Sequence, residues 1–254
     1  MTAELQKASL SKRIAAALLD FMLLIIIVTG AATLFANIFG YEAHIKTMED
    51  RQKHFETTYD IVFQITEEDY NKLSAEKRQA YDDAFEALRT DEEFLHAYTM
   101  QVSLTMLIAT FSIMLGILLV DFVIPLWLKN GQTVGKKVFA LALVQTDGVQ
   151  ISKLQLFIRA ILGKFTVETM IPVYVFMMIF FNTANIVTLA LLLVLLVGQL
   201  ISIIVTKTNA AIHDLLAGTA VIDMPSQRIF QSKEDLLEYT KKIHAERANR
   251  SDYK

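Results

Sequence analysis

The sequence predicts an all-α integral membrane protein with four transmembrane helices. Three observations support this fold class. Of the 254 residues, 54% are hydrophobic. These residues are gathered in long blocks instead of recurring at the period of an amphipathic helix or strand. Lys and Arg are distributed unequally between the blocks, as they are around helices that cross a membrane.

Three apolar blocks, at 14–39, 102–128 and 186–206, each exceed the roughly 18–20 residues that span a lipid bilayer as a helix. A fourth block, 165–181, is shorter and is preceded by Lys164, so we expect its first half to be interfacial. The predicted segments are the N-terminus and first transmembrane helix (1–40), an extracytoplasmic helical insert (41–100), the second transmembrane helix (101–128), a cytoplasmic hairpin and interfacial helix (129–164), the third and fourth transmembrane helices (165–206) and a cytoplasmic C-terminal tail (207–254).

The charges between the blocks predict the orientation. Residues 129–164 hold six Lys and Arg against one Asp, whereas residues 41–100 hold 15 acidic and 7 basic residues. Because Lys and Arg near membrane ends favour the cytoplasmic side, we expect both termini and 129–164 inside and 41–100 outside. This describes a multi-pass membrane protein whose main partner is the lipid bilayer.

The insert 41–100 has the composition of soluble helices. Helix starts are indicated by Thr66, in TEED, and by Thr90, in the capping box TDEE. A helical hairpin that extends the first two spans is favoured over a separate binding module, and both interpretations stay open.

Two cytoplasmic segments also carry local signals. Asp147-Gly148 is a turn dipeptide in a partly alternating stretch, which predicts a short β-hairpin. Residues 153–165 then place basic and apolar residues at helical spacing, which predicts an interfacial helix whose Lys and Arg face lipid headgroups. Ser232 is the expected N-cap of a charged C-terminal helix.

Charged residues inside the apolar blocks are the main candidates for function. Arg13 and Asp20 are seven residues apart, on nearly the same face of the first span, and Asp121 lies at a similar depth in the second. Two neighbouring carboxylates would raise one pKa and could bind a proton or a cation. The alternative is a structural ion pair between Arg13 and one Asp that serves assembly, and the two readings have equal weight.

A polar stripe near the last span supplies the supporting candidates. These residues follow one another at steps of about three or four, and they either form hydrogen bonds between helices or line a water-filled entrance. The stripe comprises Gln199, Ser202, Thr206, Asn209 and His213, with Asp214 next to it.

The remaining patterns argue against an enzyme. The segment GQTVGKK, 131–137, is one residue short of a phosphate-binding loop, and Lys137 stands where Ser or Thr would hold Mg²⁺. No zinc-ligand cluster or nucleophile–base motif is present, and the chain has no Cys. We therefore expect no catalytic residue, cofactor or metal site. The net charge of −3 gives no indication of nucleic-acid binding.

The pattern of Arg13, Asp20 and Asp121 resembles the RDD family of bacterial membrane proteins, which is named for one Arg and two Asp so placed. The likeness covers about 11–40 and 102–222, and the insert 41–100 departs from it because the family's first loop is commonly shorter. Further matching positions are Gly131, Thr133, Gly135 and Lys136, Arg159, and His213, Asp214, Gly218 and Thr219.

The resemblance implies a transport-related function, since some members have been linked to sodium/proton exchange. The expected function is transport of a small monovalent cation coupled to protons, by a homo-oligomer because four spans are few for a transporter. The alternative is a non-transporting scaffold or accessory subunit that acts through the outer insert or the C-terminal helix.

Overall fold

The computed structural model describes residues 8–172, 174, 186–206 and 210–251. In this part of the chain the structure is mostly helical, with a two-stranded sheet. The elements are α1 (Leu10–Ile38), α2 (Tyr41–Tyr59), α3 (Glu67–Lys72), α4 (Ala75–Thr90), α5 (Glu92–Leu118), a π-helical turn (Leu119–Val123), α6 (Ile124–Trp127), a 3₁₀ turn (Lys129–Gly131), α7 (Val134–Val138), β1 (Leu141–Gln145), α8 (Lys153–Phe157), a π-helix (Ile158–Glu168), α9 (Ile186–Val205), α10 (Ile212–Ala217), β2 (Thr219–Asp223), a second 3₁₀ turn (Met224–Ser226) and α11 (Lys233–Ser251).

Among the described residues, two helices are long and apolar enough to cross a membrane: α1, with 29 residues, and the continuous helix Glu92–Trp127, with 36. They correspond to the first two predicted spans. Helix α9 has 20 residues and coincides with the fourth predicted span. Residues 173 and 175–181 of the third predicted span lie outside the described residues.

The second long helix widens at Leu119–Val123, where Asp121 lies. Pro125 follows in α6 and has no N–H to donate to the carbonyl of Asp121, four residues earlier. The π-turn therefore coincides with the point where a regular α-helical hydrogen bond is missing.

The chain forms two compact units, Gly30–Ser112 and the combination of Met1–Thr29 with Ile113–Lys254. In the unit Gly30–Ser112, α2 packs against α4, whose Ala84 and Leu88 are buried. Nε of Arg51 donates to Oδ1 of Asp91 at 3.0 Å. The insert is thus helical, as its composition predicts.

The helix starts of this unit are partly as predicted. Thr66 is the N-cap of α3, because its side chain accepts from the N–H of Asp69 at 3.2 Å. The predicted cap at Thr90 is wrong by one residue. Thr90 ends α4, and the carboxylate of Asp91 accepts from the N–H of Phe94 at 2.8 Å.

In the other unit, the predicted β-hairpin is wrong in its strand partner. The chain does turn at Asp147-Gly148, where the N–H of Gln145 donates to the carbonyl of Val149 at 2.8 Å. However, β1 pairs antiparallel with β2, from Leu141 opposite Asp223 to Gln145 opposite Thr219. The returning chain is too short for a ladder, because Ser152 already caps α8.

The sheet forms a hydrophobic core with the N-terminal end of α1. Leu141, Leu143 and Val221 pack together with Ala16 and Leu156. This core fixes the start of α1 against segments that are far away in the sequence.

The segment Lys153–Glu168 is helical, but the prediction that its Lys and Arg face lipid headgroups is wrong for two residues. The Arg159 side chain is 3% exposed, and Lys164 contacts a carboxylate. Leu154 and Leu162 are instead exposed, at 67% and 50%. The prediction placed the basic side chains at the membrane surface, whereas this segment buries Arg159 within the protein and exposes the two leucines.

The charged C-terminal helix is present as α11. The hydroxyl of Ser232 accepts from the N–H of Asp235 at 3.2 Å, which confirms the predicted N-cap.

Candidate functional site

Asp20 binds the start of α7 with both carboxylate oxygens. The hydroxyl of Thr133 donates to Oδ2 at 2.5 Å, and the N–H of Gly135 donates to Oδ1 at 2.7 Å. Thr133 is the N-cap of α7. Asp20, which belongs to α1, therefore adds further hydrogen bonds at the N-terminus of α7. A buried carboxylate is stable only with such donors. The Gly-x-Thr-x-Gly-Lys motif therefore supplies the hydrogen-bond donors for Asp20 in the first span.

Gly135 allows this contact because it lies directly against the backbone of α1. A Cβ at this position would be 2.1 Å from the carbonyl oxygen of Ala16 and 3.0 Å from Cγ of Asp20. Both neighbours belong to a buried helix face and have little room to move. Only glycine brings α7 this close to α1.

Asp121 has cationic partners from the π-helix. Nζ of Lys164 lies 2.5 Å from Oδ1, and Nη1 of Arg159 lies 3.7 Å from the same oxygen. The Asp121 side chain is 3% exposed. Its charge is thus balanced by two basic side chains that follow it by about 40 residues.

Arg159 also holds Asp214. Its Nε donates to Oδ1 of Asp214 at 2.9 Å, and the hydroxyl of Thr219 donates to the same oxygen at 3.1 Å. Nη2 of Arg13 lies 3.6 Å from Oδ2 of Asp214. Burial by itself would raise the pKa of the Asp214 carboxyl, but the basic groups around it, Arg159 foremost, together outweigh this effect and hold the pKa well below its usual value.

His213 connects Arg159 to Glu168. Nη2 of Arg159 lies 2.7 Å from Nε2 of His213, and Nδ1 of His213 lies 2.5 Å from Oε1 of Glu168. Because a guanidinium only donates, Nε2 must accept and the proton sits on Nδ1. Burial and the charge of Arg159 both lower the pKa of His213, in agreement with this neutral tautomer.

Glu168 is also the anchor for α9 and for the beginning of α10. The side-chain amide of Gln199 donates to Oε1 of Glu168 at 3.0 Å, and the N–H of His213 donates to the same oxygen at 3.3 Å. Oε1 of Gln199 accepts from the N–H of Ile212 at 2.9 Å. One carboxylate thus orients α9 and the beginning of α10 at the edge of the site.

Lys136 completes the cluster without a close ion pair. Among the described residues no carboxylate oxygen lies within 4.0 Å of its Nζ, which donates to Oγ1 of Thr133 at 3.3 Å. It is a buried residue of α7. Burial and the positive charges of Arg159 and Lys164 lower its pKa to about 8, although Asp121 and Asp20 act in the opposite direction.

These side chains line one cavity of about 320 Å³. Its walls come from α1, the π-turn, α7, β1, the π-helix, α9, α10 and β2. The charged and titratable side chains that line it are Arg13, Asp20, Asp121, Lys136, Arg159, Lys164, His213 and Asp214. No group of three or more Cys, His, Asp or Glu in the described part of the chain is arranged to hold a metal ion.

The family model of the RDD family matches residues 7–218, which is most of the chain. This chain belongs to the RDD family. No curated protein and no solved structure matches it. In this RDD protein Arg13, Asp20 and Asp121, the three residues on which the sequence resemblance rests, all line the cavity.

The other predicted site residues divide into two groups. Gln199, His213 and Asp214 line the same cavity in this RDD protein. Ser202 and Thr206 bond backbone atoms near the end of α9: Ser202 donates to the carbonyl of Ala210 at 3.0 Å, and Thr206 accepts from the N–H of Ala210 at 2.6 Å. Asn209 lies outside the described residues.

Sequence reasoning missed several partners of the signature residues. Thr133, Gly135 and Lys136 had matched a family motif but had no assigned contact, and Lys164 and Glu168 were interpreted as interfacial. The signal that could have found the last two is their position four residues apart inside an apolar stretch. Charges so placed face protein instead of lipid.

Proposed function

We propose that this RDD protein exchanges a small monovalent cation for protons across the bacterial plasma membrane. In this proposal, Asp20 and Asp121 are the carboxylates of the exchange site, and Arg13 orients Asp214 beside them. The protein acts as a homo-oligomer, because four transmembrane helices are few for a complete transport path.

The observation that carries the proposal is the position of Asp20 and Asp121 in one cavity. Both belong to helices that are apolar enough to cross a membrane, and both are buried. A carboxylate inside an apolar helix is costly, so such residues typically mark an ion path or a proton relay. A structural role alone would be served by one ion pair, whereas this cavity collects several groups that can titrate.

The proposed arrangement in the membrane follows the charge distribution. Both termini and 129–164 lie on the cytoplasmic side of the membrane, and 41–100 lies on the outer side, since cytoplasmic segments carry the excess of Lys and Arg. The cavity then opens near the cytoplasmic ends of the first two spans, since Arg13 and Lys136 belong to that side.

The experiment uses the purified full chain in liposomes that contain a pH-sensitive dye. Addition of NaCl or LiCl to a vesicle with a proton gradient should dissipate the gradient, whereas choline chloride should not. Asp20→Asn and Asp121→Asn should each lower the rate at least about tenfold, because each removes a charge from the site. Asp83→Asn, an exposed acid of the insert, is the matched control and should keep the wild-type rate.

Size-exclusion profiles and thermal unfolding of each variant separate loss of exchange from loss of folding. Ion-dependent proton movement that is equal in wild type and both site variants would reject the proposal. If the wild type moves no protons but binds another protein, and this binding requires the insert 41–100, the scaffold function would be favoured instead.

A further inference from the structure

The cavity reaches the surface of the protein along α1. Leu10, Ile14 and Phe21 line it, and the same side chains are 50%, 51% and 56% exposed. Gln199 and Ile203 line it from α9. Because α1 is apolar enough to cross a membrane, we expect its exposed side chains to face acyl chains. The cavity therefore extends sideways to the lipid between α1 and α9.

Charged side chains line the same cavity, four of them basic and three acidic. With His213 in its neutral form, this lining has a net charge of +1. Glu168 is not one of the described residues that line the cavity, and its carboxylate accepts from Gln199 at 3.0 Å. Charges that face hydrocarbon are costly. A cavity of this kind is stable in a bilayer when a polar, negatively charged group separates its charges from the acyl chains.

Two basic side chains present donor groups to such an anion. Lys136 carries three N–H donors, and its described hydrogen bond is the one to the hydroxyl of Thr133, at 3.3 Å. The Arg13 side chain is 14% exposed, and its Nη2 is 3.6 Å from the Asp214 carboxylate, which is longer than a hydrogen bond. Guanidinium and ammonium groups are typical ligands of phosphate. Basic pockets between transmembrane helices bind anionic lipid headgroups.

The α1 wall of the cavity has the length of one lipid leaflet. Arg13 and Leu24 both line it, and the helix rises about 16 Å between them. The hydrocarbon of one leaflet is roughly half of the ~30 Å core of a bilayer. Arg13 stands at the start of the first span, at the depth of the headgroups, and Phe21 and Leu24 lie deeper. An amphipathic molecule with its charge at Arg13 thus matches the polarity of this wall.

We propose that the cavity binds an anionic phospholipid. Its phosphate lies beside Arg13 and Lys136, and one acyl chain lies between α1 and α9, against Phe21, Leu24 and Ile203. The single negative charge of a phosphodiester balances the net charge of the lining, and the chain covers its apolar wall. This inference goes beyond the proposed function, because it requires neither a transported cation nor a change of protonation.

The test counts the lipids that remain bound to the purified full-length protein. Native mass spectra are recorded in detergent while dioleoylphosphatidylglycerol or dioleoylphosphatidylcholine is added. The two lipids have the same chains, but only the first has a net negative charge. Wild type should bind one phosphatidylglycerol at a concentration at least about tenfold lower than it needs for phosphatidylcholine. Millimolar inorganic phosphate should not displace the lipid, because free phosphate has no chain.

Two adjacent substitutions on α1 test the place of the acyl chain. Ala17 lines the cavity and is exposed, so Ala17→Trp should occupy the space of the chain without disturbing a packed core. Its affinity for phosphatidylglycerol should fall at least about tenfold, because buried methylene groups are lost from the contact. Leu18→Trp is the matched control, since Leu18 is 60% exposed and is not among the described residues that line the cavity. This control should bind lipid like wild type.

A second pair of substitutions tests the place of the phosphate. Lys136→Gln removes one positive charge, so the preference for phosphatidylglycerol over phosphatidylcholine should fall at least about threefold. Lys137→Gln removes the same charge from an exposed neighbour and should keep the wild-type preference. Thermal unfolding in detergent shows which variants are folded. If Lys136→Gln does not fold, Ala17→Trp and Leu18→Trp decide.

Equal binding of the two lipids by wild type would overturn the inference, as would unchanged binding of phosphatidylglycerol in Ala17→Trp. Displacement by inorganic phosphate would show a site for the free anion and not for a lipid. If Ala17→Trp dissociates an oligomer while phosphatidylglycerol binding stays unchanged, a second copy of the chain occupies the cavity instead. Because the test counts bound lipid and does not follow ion movement, its result is independent of cation exchange.

Discussion

Each buried aspartate of the cavity is held by a different kind of donor. Asp20 accepts from a hydroxyl and a backbone N–H, Asp121 from an ammonium, and Asp214 from a guanidinium. A neutral donor adds no charge, so Asp20 keeps more of its negative potential than the other two. If the protein exchanges cations as proposed, Asp20 is therefore the carboxylate that attracts the cation most strongly.

Arg13 should be energetically coupled to Asp214. Its Nη2 lies 3.6 Å from the buried carboxylate of Asp214. Arg13→Ala and Asp214→Asn should each destabilise the protein, and the double variant should be more stable than the sum predicts by about 1 kcal/mol or more, because removal of one charge strands the other. The measurement is a double-mutant cycle by chemical unfolding in detergent.

The preceding residue offers the matched control for this cycle. Lys12 forms an ion pair with Asp223 at 2.6 Å, but the Lys12 side chain is 45% exposed. Lys12→Ala with Asp223→Asn should therefore show a coupling of less than about 1 kcal/mol. Equal coupling energies in the two cycles would contradict the view that burial makes the Arg13 pair important.

Gly135→Ala should separate α7 from Asp20. The added Cβ would lie 2.1 Å from the carbonyl oxygen of Ala16, so the backbone must move. We expect a loss of at least about 1–3 kcal/mol in stability, typical of overpacking. Gly198→Ala in α9 is the control, because a Cβ there would meet nothing within 4 Å. Thermal unfolding of the two variants is the measurement, and a Gly135→Ala protein as stable as the control would refute the close approach.

At the scale of elements, two helical segments have a reversed polarity. The segment Lys153–Glu168 buries Arg159 and exposes Leu162 at 50%, and α10 buries His213 and Asp214 while Leu216 is 51% exposed. The two elements pack against each other. In water this arrangement would be unfavourable, since it hides charge and exposes apolar surface. In a bilayer it is the expected arrangement.

Leu162 and Leu216 should therefore contact lipid. The chain has no Cys, so single cysteines at these positions can be labelled with a fluorophore without further changes. Nitroxide groups on lipid acyl chains should quench both labels, and iodide in the water phase should not. A label at Lys153, which is exposed and charged, should show greater quenching by iodide. Strong iodide quenching at Leu162 and Leu216 would show that these side chains face water.

The sequence was most informative for features that depend on residues close together in the chain. The long apolar blocks predicted α1 and α5, and Thr66 and Ser232 predicted two helix starts, because both signals depend on neighbouring residues. The pairing of β1 with β2 was not predictable in the same way. Asp147-Gly148 favours a local hairpin, and nothing near β1 indicates a partner more than 70 residues away.

The site was predictable in its residues more than in its contacts. Charges in apolar segments identified Arg13, Asp20 and Asp121, because a charged side chain is costly in such a segment and is usually functional. Their partners depend on side-chain directions that a helical repeat does not supply. The π-helix, for example, sets the rotation of Arg159 and Lys164 through hydrogen bonds five residues apart, such as the one from Thr169 to Lys164 at 3.0 Å.

For the whole molecule, the unequal distribution of charge predicts the orientation. A protease site or reporter inserted at Ala75 should be reached from outside intact cells, and one at Ala245 should be reached only after the membrane is opened. The reason is the excess of Lys and Arg in 129–164 relative to 41–100. Protection of the site at Ala75 in intact cells would reverse the proposed topology.

The sequence separation of Arg13 and Asp214 has a consequence for biogenesis. These residues are about 200 positions apart, so at about 5–20 residues per second the ribosome reaches Asp214 roughly 10–40 seconds after Arg13. Asp20 and Asp121 also precede their partners on α7 and the π-helix. Until β2 has been synthesised and paired with β1, the nascent chain holds incompletely satisfied charges at the membrane. A translational pause or a truncation before Thr219 should therefore deliver the chain to membrane quality-control proteases.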